Sequence, residues 1–250
     1  MVEEIIRAYT NNPVLVGISG VTFLFGYLEY ILAVRIIMKE KRAPYPVWMH
    51  TFYLAHDVTA GTVFLLLARQ YHGFWFFRLG SVGLYLWNIF EIYCLYAAVR
   101  YERQEIWGKF YDSEVTARQA VLRVVGQIVM MFCVVNLFRV YMHDDVMFKW
   151  FSFTNILIAI APGYLWNERK TRRGTSIELA VVIVLGTANT FLPPGLGMWT
   201  TASRYFDHPL FYLTGVVCTA YALRNLWVVI KKPREAAPDC VTSECAKVSA

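Results

Sequence analysis

Three carboxylic acids stand inside long apolar stretches of this chain: Glu29, Asp57 and Glu91. An ionisable group in such a place is costly, and where one is kept it marks function by default. A neutral acid held beside a lipophilic molecule is a proton donor, the chemistry of general acid catalysis. At similar depth on consecutive helices, the three are expected to line one cavity. The competing reading leaves each acid neutral, capping a neighbouring helix or pairing with Arg35, Arg123 or Arg224.

Helical spacing adds companions. His50, Tyr53 and Asp57 follow an i, i+3, i+7 pattern and share a face, which Gly61 continues with room for a close approach. His56 points elsewhere and reads equally well as a hydrogen-bonded packing residue. Trp87, Asn88 and Glu91 share a face, and Asn88 is expected to hold the Glu91 carboxyl. Gln127, Asn136, Asn155 and Asn189 are single polar groups that read as glue between helices. Trp48, Trp75, Trp107, Trp150, Trp166 and Trp199 lie near the ends of apolar stretches, as interfacial belts do. Tyr53, Trp87, Phe90 and Tyr221 lie deeper. They read as core packing, or as a π-lined pocket that stabilises a cation by about 0.5–2 kcal/mol per face.

The elements that must carry these residues are seven apolar stretches, at 14–38, 46–68, 79–99, 117–138, 147–166, 176–196 and 209–230. Each has about the 20 residues a helix needs to cross a bilayer, and backbone in lipid must satisfy itself, as helices do. The expected fold is all-α: a polytopic membrane protein built as one seven-transmembrane-helix bundle over 1–233, with a disordered cytoplasmic tail at 234–250. Only 17% of the 250 residues are charged, against about 25% in soluble domains.

The net charge of +6 lies mostly in alternate loops: Lys39, Lys41 and Arg42, then Arg100, Arg103 and Lys109, then Arg169, Lys170, Arg172 and Arg173, then Lys231, Lys232 and Arg234. This positive-inside pattern predicts a lumenal N-terminus and a cytoplasmic C-terminus, in the endoplasmic reticulum. It makes membrane lipid, not nucleic acid, the partner of the basic loops. The first residues lack the basic start and cleavable core of a signal peptide, and the last four hold no cysteine for prenylation. Cys94, Cys133, Cys218, Cys240 and Cys245 form no zinc spacing.

Phosphate loops, dinucleotide fingerprints and Gly-x-Ser-x-Gly elbows are missing from the sequence, and the seventh stretch has no central lysine for a Schiff base. Asp144-Asp145 begins like an acidic metal motif, but Phe148 stands where the third acid belongs, so a solvated turn is expected. No internal repeat supports an inverted-repeat transporter.

Three segments carry a family resemblance. They are Tyr93-Cys-Leu-Tyr-Ala-Ala-Val-Arg100 with Glu105-Ile-Trp107; Arg173-Gly-Thr-Ser176 with Leu185-Gly-Thr187; and the basic stop Lys231-Lys232. The chain resembles the small seven-helix membrane terpene cyclases of fungal meroterpenoid and indole-diterpene pathways, the paxilline-type cyclases. Length, span count and orientation agree over nearly the whole chain. That family has an Asn-x-x-Trp-Glu motif in its second helix and another acid in its seventh. Here the first reads Tyr53-Leu-Ala-His-Asp57, so Asp57 takes the acid's place, Tyr53 that of the Asn and His56 that of the Trp. The second reads Thr219-Ala-Tyr221, without an acid.

The resemblance implies a cyclase, in the isomerase or lyase class, acting on a lipophilic prenylated small molecule with no cofactor and no metal. Asp57 would protonate an epoxide or alkene, Glu91 or a water it holds would take the final proton, and Glu29 would be a further acid. Tyr53, His56, Trp87, Asn88 and Tyr221 would bind substrate. The alternatives are an intramembrane isomerase or hydratase of sterol-like lipids, and a non-enzymatic transporter or receptor. Sequence leaves the oligomeric state open.

Overall fold

Caps and prolines decide where the helices of this chain start and stop. The computed structural model describes residues 1–233; the tail predicted at 234–250, with Cys240 and Cys245, lies outside them. A short amphipathic helix, α1 (Val2–Asn11), comes first and buries Ile5 and Tyr9. Asn12 then caps α2 (Pro13–Glu40) by accepting from the Leu15 N–H at 3.3 Å, and Pro13 fills the first turn, where a missing N–H costs nothing. Helix α3 (Val47–Gln70) follows Pro46, and α4 (Trp75–Ala97) runs through one π-helical turn (Ala98–Glu102) into α5 (Arg103–Trp107). A Thr116–Gln119 capping box opens α6 (Ala117–Tyr141). Helix α7 (Phe148–Glu168) contains Pro162, Ser176 caps α8 (Ile177–Thr190), and α9 (Met198–Ala202) is a short piece. His208 and Pro209 open α10 (Pro209–Lys231).

Every predicted apolar stretch holds a helix, and no strand occurs among the described residues. Five helices are long and apolar enough to span: α2, α3, α4 with its continuation to Phe110, α6 and α10. Helix α7 has 21 residues but carries Lys149, Ser152, Thr154, Asn155 and Glu168, and it is not among the five. Helix α8 has 14 residues, about 21 Å at 1.5 Å per residue, short of the roughly 30 Å hydrocarbon core. Its predicted end at 196 is cut back because Pro193 and Pro194 cannot continue a helix and disfavour it in the residue before them.

Helix α3 is central. It packs most extensively on α4 and next on α6, while α10 lies against α8 and α7, and α2 against α8. Its buried residues run all round it, from Met49 to Leu67. Helix α6 is the opposite case. Leu122, Val129, Met130 and Val140 on it are half exposed or more, the surface of a helix that faces lipid. On α10, Gly215, Cys218, Ala222, Asn225 and Val229 make the buried stripe. Asn225 donates to the Ala159 carbonyl at 2.9 Å near Pro162 inside α7, and Gly163 leaves the space, since a Cβ there would lie 1.9 Å from Asn225 Oδ1.

Two polar clusters tie the ends. At one, the Ala43 N–H donates to Glu102 Oε1 at 2.7 Å. Buried Arg169 donates to the Ala43 and Gly174 carbonyls at 2.6 and 2.5 Å, and Trp166 to the Pro44 carbonyl at 2.7 Å. Arg169, expected to meet lipid, is structural instead. At the other end, Glu4 of α1 accepts from the Ser203 hydroxyl at 2.9 Å and the Arg204 N–H at 3.0 Å, which fixes α9. Asp144 corrects a further expectation: it is fully buried, not solvated, and accepts from the Trp150 N–H at 2.9 Å at the start of α7, while Asp145 is exposed. The belt reading fails for Trp107, Trp150, Trp166 and Trp199, all buried; Trp48 and Trp75 are partly exposed.

Candidate active site

Between α2, α3, α4, α7, α8 and α9 lies a cavity of ≈ 100 Å³ with an open side. Its walls are mainly aromatic. Phe23 and Phe25 come from α2, Tyr53 and Phe64 from α3, Trp87 from α4, Phe148 and Phe151 from α7, and Trp199 from α9. Small residues admit this bulk: a Cβ at Gly26 would lie 2.9 Å from Trp87, and one at Gly186 would lie 3.0 Å from Glu29 Oε1. Trp87 leans on Tyr27 and Phe23, with ring centroids 5.1 and 5.7 Å away.

Asp57 and Glu29 both face this space. Asp57 Oδ1 lies 2.7 Å from His56 Nδ1, while Oδ2 has no hydrogen-bond partner among the described residues, and the side chain lines the cavity. His56 is fully buried against Phe52 and Phe151, with centroids 6.1 and 5.0 Å away. It does not line the cavity but holds the acid from behind. Among the described residues Glu29 has no hydrogen-bond partner, and its neighbours include Phe25 and Gly186.

Glu91 sits one layer back. Its Oε2 lies 2.6 Å from His50 Nδ1, and its Oε1 accepts from the hydroxyl of Tyr30, a cavity residue. Glu91 and His50 are buried, so this carboxyl reaches the cavity only through Tyr30. The three acids thus share one neighbourhood, two at the surface of the cavity and one behind it. The partners of Asp57 and Glu91 are histidines and a tyrosine. The arginines of the competing reading are elsewhere: Arg123 bonds Tyr111, Arg224 bonds Asn225, and Arg35 is exposed.

Tyr53 lines the cavity and donates to the Thr154 carbonyl at 2.9 Å, fastening α3 to α7. Three predicted binding residues are corrected: His56, which stands behind Asp57 and off the cavity, Asn88 and Tyr221. Asn88 does not hold Glu91; it donates back to the Leu84 carbonyl of its own helix at 3.1 Å, away from the cavity. Tyr221 is 42% exposed, off the buried stripe by which α10 packs, and not on the cavity. Sequence reasoning missed Tyr30, Tyr45, Phe148, Phe151 and Trp199. The signal for Tyr30 was its place beside Glu29, but its hydroxyl goes to Glu91. Among the described residues, no three His, Cys, Asp or Glu side chains converge as metal ligands.

Comparison with protein-family models, with curated proteins and with solved structures gives no match.

Proposed function

We propose that this chain is an integral membrane terpene cyclase acting on a prenylated lipophilic substrate. The observation that carries the reading is Asp57, a buried carboxyl that lines an aromatic-walled cavity, with one oxygen held by a histidine and the other without a hydrogen-bond partner among the described residues. With its proton on Nδ1, His56 donates to Oδ1, so the acid proton of Asp57 resides on Oδ2, toward the substrate. Asp57 gives that proton to an epoxide oxygen or an alkene. As the C–O bond of an epoxide breaks, the electron-poor carbon is attacked by the next double bond, and a ring closes. Positive charge then moves along a chain wrapped by Trp87, Phe148, Phe151 and Tyr53, whose ring faces attract cations. Loss of a proton ends the reaction, so product and substrate are isomers. Glu29, on the α8 side of the cavity, offers a second polar point that can position an oxygen of the substrate.

In the bilayer, α7 and α8 complete a seven-helix bundle with α2, α3, α4, α6 and α10, the N-terminus lumenal and the C-terminus in the cytoplasm. The basic residues of alternate loops support this orientation, and packing of the short α8 against α2, α7 and α10 supports its place in the bundle. A glycosylation tag after Lys232 is expected to stay unmodified in microsomes; efficient glycosylation there would reverse the orientation.

Activity is tested with microsomes holding the wild-type chain and aromatic or indole substrates that bear an epoxidised polyprenyl tail. The expected product has the mass of its substrate, with the epoxide replaced by a hydroxyl and a new carbocycle. Turnover of sterol-like alkenes instead, with prenylated epoxides untouched, would replace cyclisation by isomerisation or hydration on the same acid.

A further inference from the structure

One carboxyl at the cavity and one behind it, Asp57 and Glu91, differ in their hydrogen bonds. Asp57 accepts on one oxygen only. Glu91 accepts on both, from Tyr30 on Oε1 and from His50 on Oε2. Two donors with no exposed oxygen satisfy a carboxylate, the charged form, whereas a single donor with the second oxygen open suits a protonated acid. Carboxyls whose surroundings favour opposite protonation states divide into acid and base. Glu91 cannot itself touch a substrate, because Tyr30 stands between it and the cavity. The Tyr30 hydroxyl donates its own hydrogen away from the cavity, so its lone pairs are left for a hydrogen arriving from the substrate side. The ring is steadied by Phe90, stacked with centroids 5.6 Å apart, and by Trp87 at 6.3 Å.

We propose that Tyr30 is the catalytic base that ends the reaction, with Glu91 taking the hydroxyl's proton behind it and His50 as the positioning residue that holds Glu91. The inference rests on the cyclase reading for the direction of proton flow. In the step, a C–H bond next to the cationic carbon breaks and its electron pair becomes the product double bond. The proton passes to the Tyr30 oxygen as the hydroxyl's own proton moves to Glu91 Oε1. His50 Nδ1–H keeps its bond to Oε2 throughout and holds the carboxylate in place. The proton gained at Glu91 equals the one given up by Asp57, so one transfer back across the cavity restores the resting enzyme. Net proton exchange with solvent is not required, consistent with the near-complete burial of His50, Glu91 and Asp57.

The test has an arm that needs no substrate. In infrared difference spectra of purified protein in nanodiscs, Glu91→Gln is expected to remove carboxylate stretches, and Asp57→Asn a protonated-carboxyl stretch. Loss of a protonated-carboxyl stretch from Glu91→Gln would overturn the inference, whatever the substrate. The second arm reads product identity in microsomes. Tyr30→Phe keeps the ring packing but cannot relay a proton, and the ratio of alkene product to water-quenched alcohol is expected to fall by about 10²-fold. Glu91→Gln and His50→Gln are expected to move the ratio the same way. A merely structural role would slow all products together, and an unchanged ratio in Tyr30→Phe would overturn the assignment while leaving Asp57 and the cyclase reading intact.

Discussion

Asp57→Asn is expected to lower turnover by about 10²–10⁴-fold, the usual contribution of a general acid, while the protein still inserts and purifies normally. Asparagine is nearly isosteric, and its carbonyl oxygen can still accept from His56 Nδ1, at 2.7 Å from the acid in the native chain. Packing of α3, the most buried helix, is therefore preserved. What is lost is the acidic proton on the cavity side. Asp57→Glu keeps the proton but pushes it one methylene further into the cavity, so partial activity is expected. The measurement is product formation by mass spectrometry, with a folded-protein control by size-exclusion chromatography. Full turnover by a well-folded Asp57→Asn would remove Asp57 from the chemistry and shift proton donation to Glu29, the other carboxyl open to the cavity.

How far the sequence could anticipate this site follows from what periodicity encodes. Runs of apolar residues located seven helices to within a few residues at most ends, because a long run must become a helix whether lipid or protein surrounds it. They did not separate helices that meet lipid on most sides, such as α6, from those that pack on protein. The Pro193-Pro194 stop of α8 was overrun because its apolar neighbours masked it. Short α1 and α9 were missed because neither is a long apolar run, yet α9 supplies Trp199 to the cavity. Spacing along α3 put His50, Tyr53 and Asp57 on one face, and Tyr53 and Asp57 do open on one cavity. Spacing cannot say which residue of another helix meets that face, so the His50–Glu91 pair across α3 and α4 was invisible. The aromatics of α7 and α9 sit near the ends of apolar runs, where an interfacial belt and a cavity wall have the same composition.

The largest expected effect on stability lies at the opposite pole from the chemistry, in Arg169. Only 8% exposed, it ties three segments that are distant in sequence. Its guanidinium donates to the Ala43 carbonyl between α2 and α3 and to the Gly174 carbonyl before α8, and lies 4.0 Å from Glu102 in the π-helical turn. Burial, and next the Arg42 guanidinium, draw its pKa down to about 10, so the charge persists at neutral pH. Removing one partner of a buried pair costs about 3–5 kcal/mol, because the other is left without compensation. Arg169→Met would also strand two carbonyls. Thermal unfolding in detergent, followed by tryptophan fluorescence, should therefore show a large drop for Arg169→Met and a smaller one for Arg169→Lys, which keeps the charge but not the fork that reaches both carbonyls. The double variant Arg169→Met/Glu102→Gln should lose less than the sum of the single losses, since groups that share a network are not additive. A midpoint for Arg169→Met equal to that of the wild type would make the cluster a spectator. The same loop carries Tyr45, a cavity residue whose ring lies 5.8 Å from that of His50. Loosening the knot should therefore disturb the Tyr30–Glu91–His50 side of the site before it disturbs Asp57, and product composition in Arg169→Lys should shift before total turnover falls.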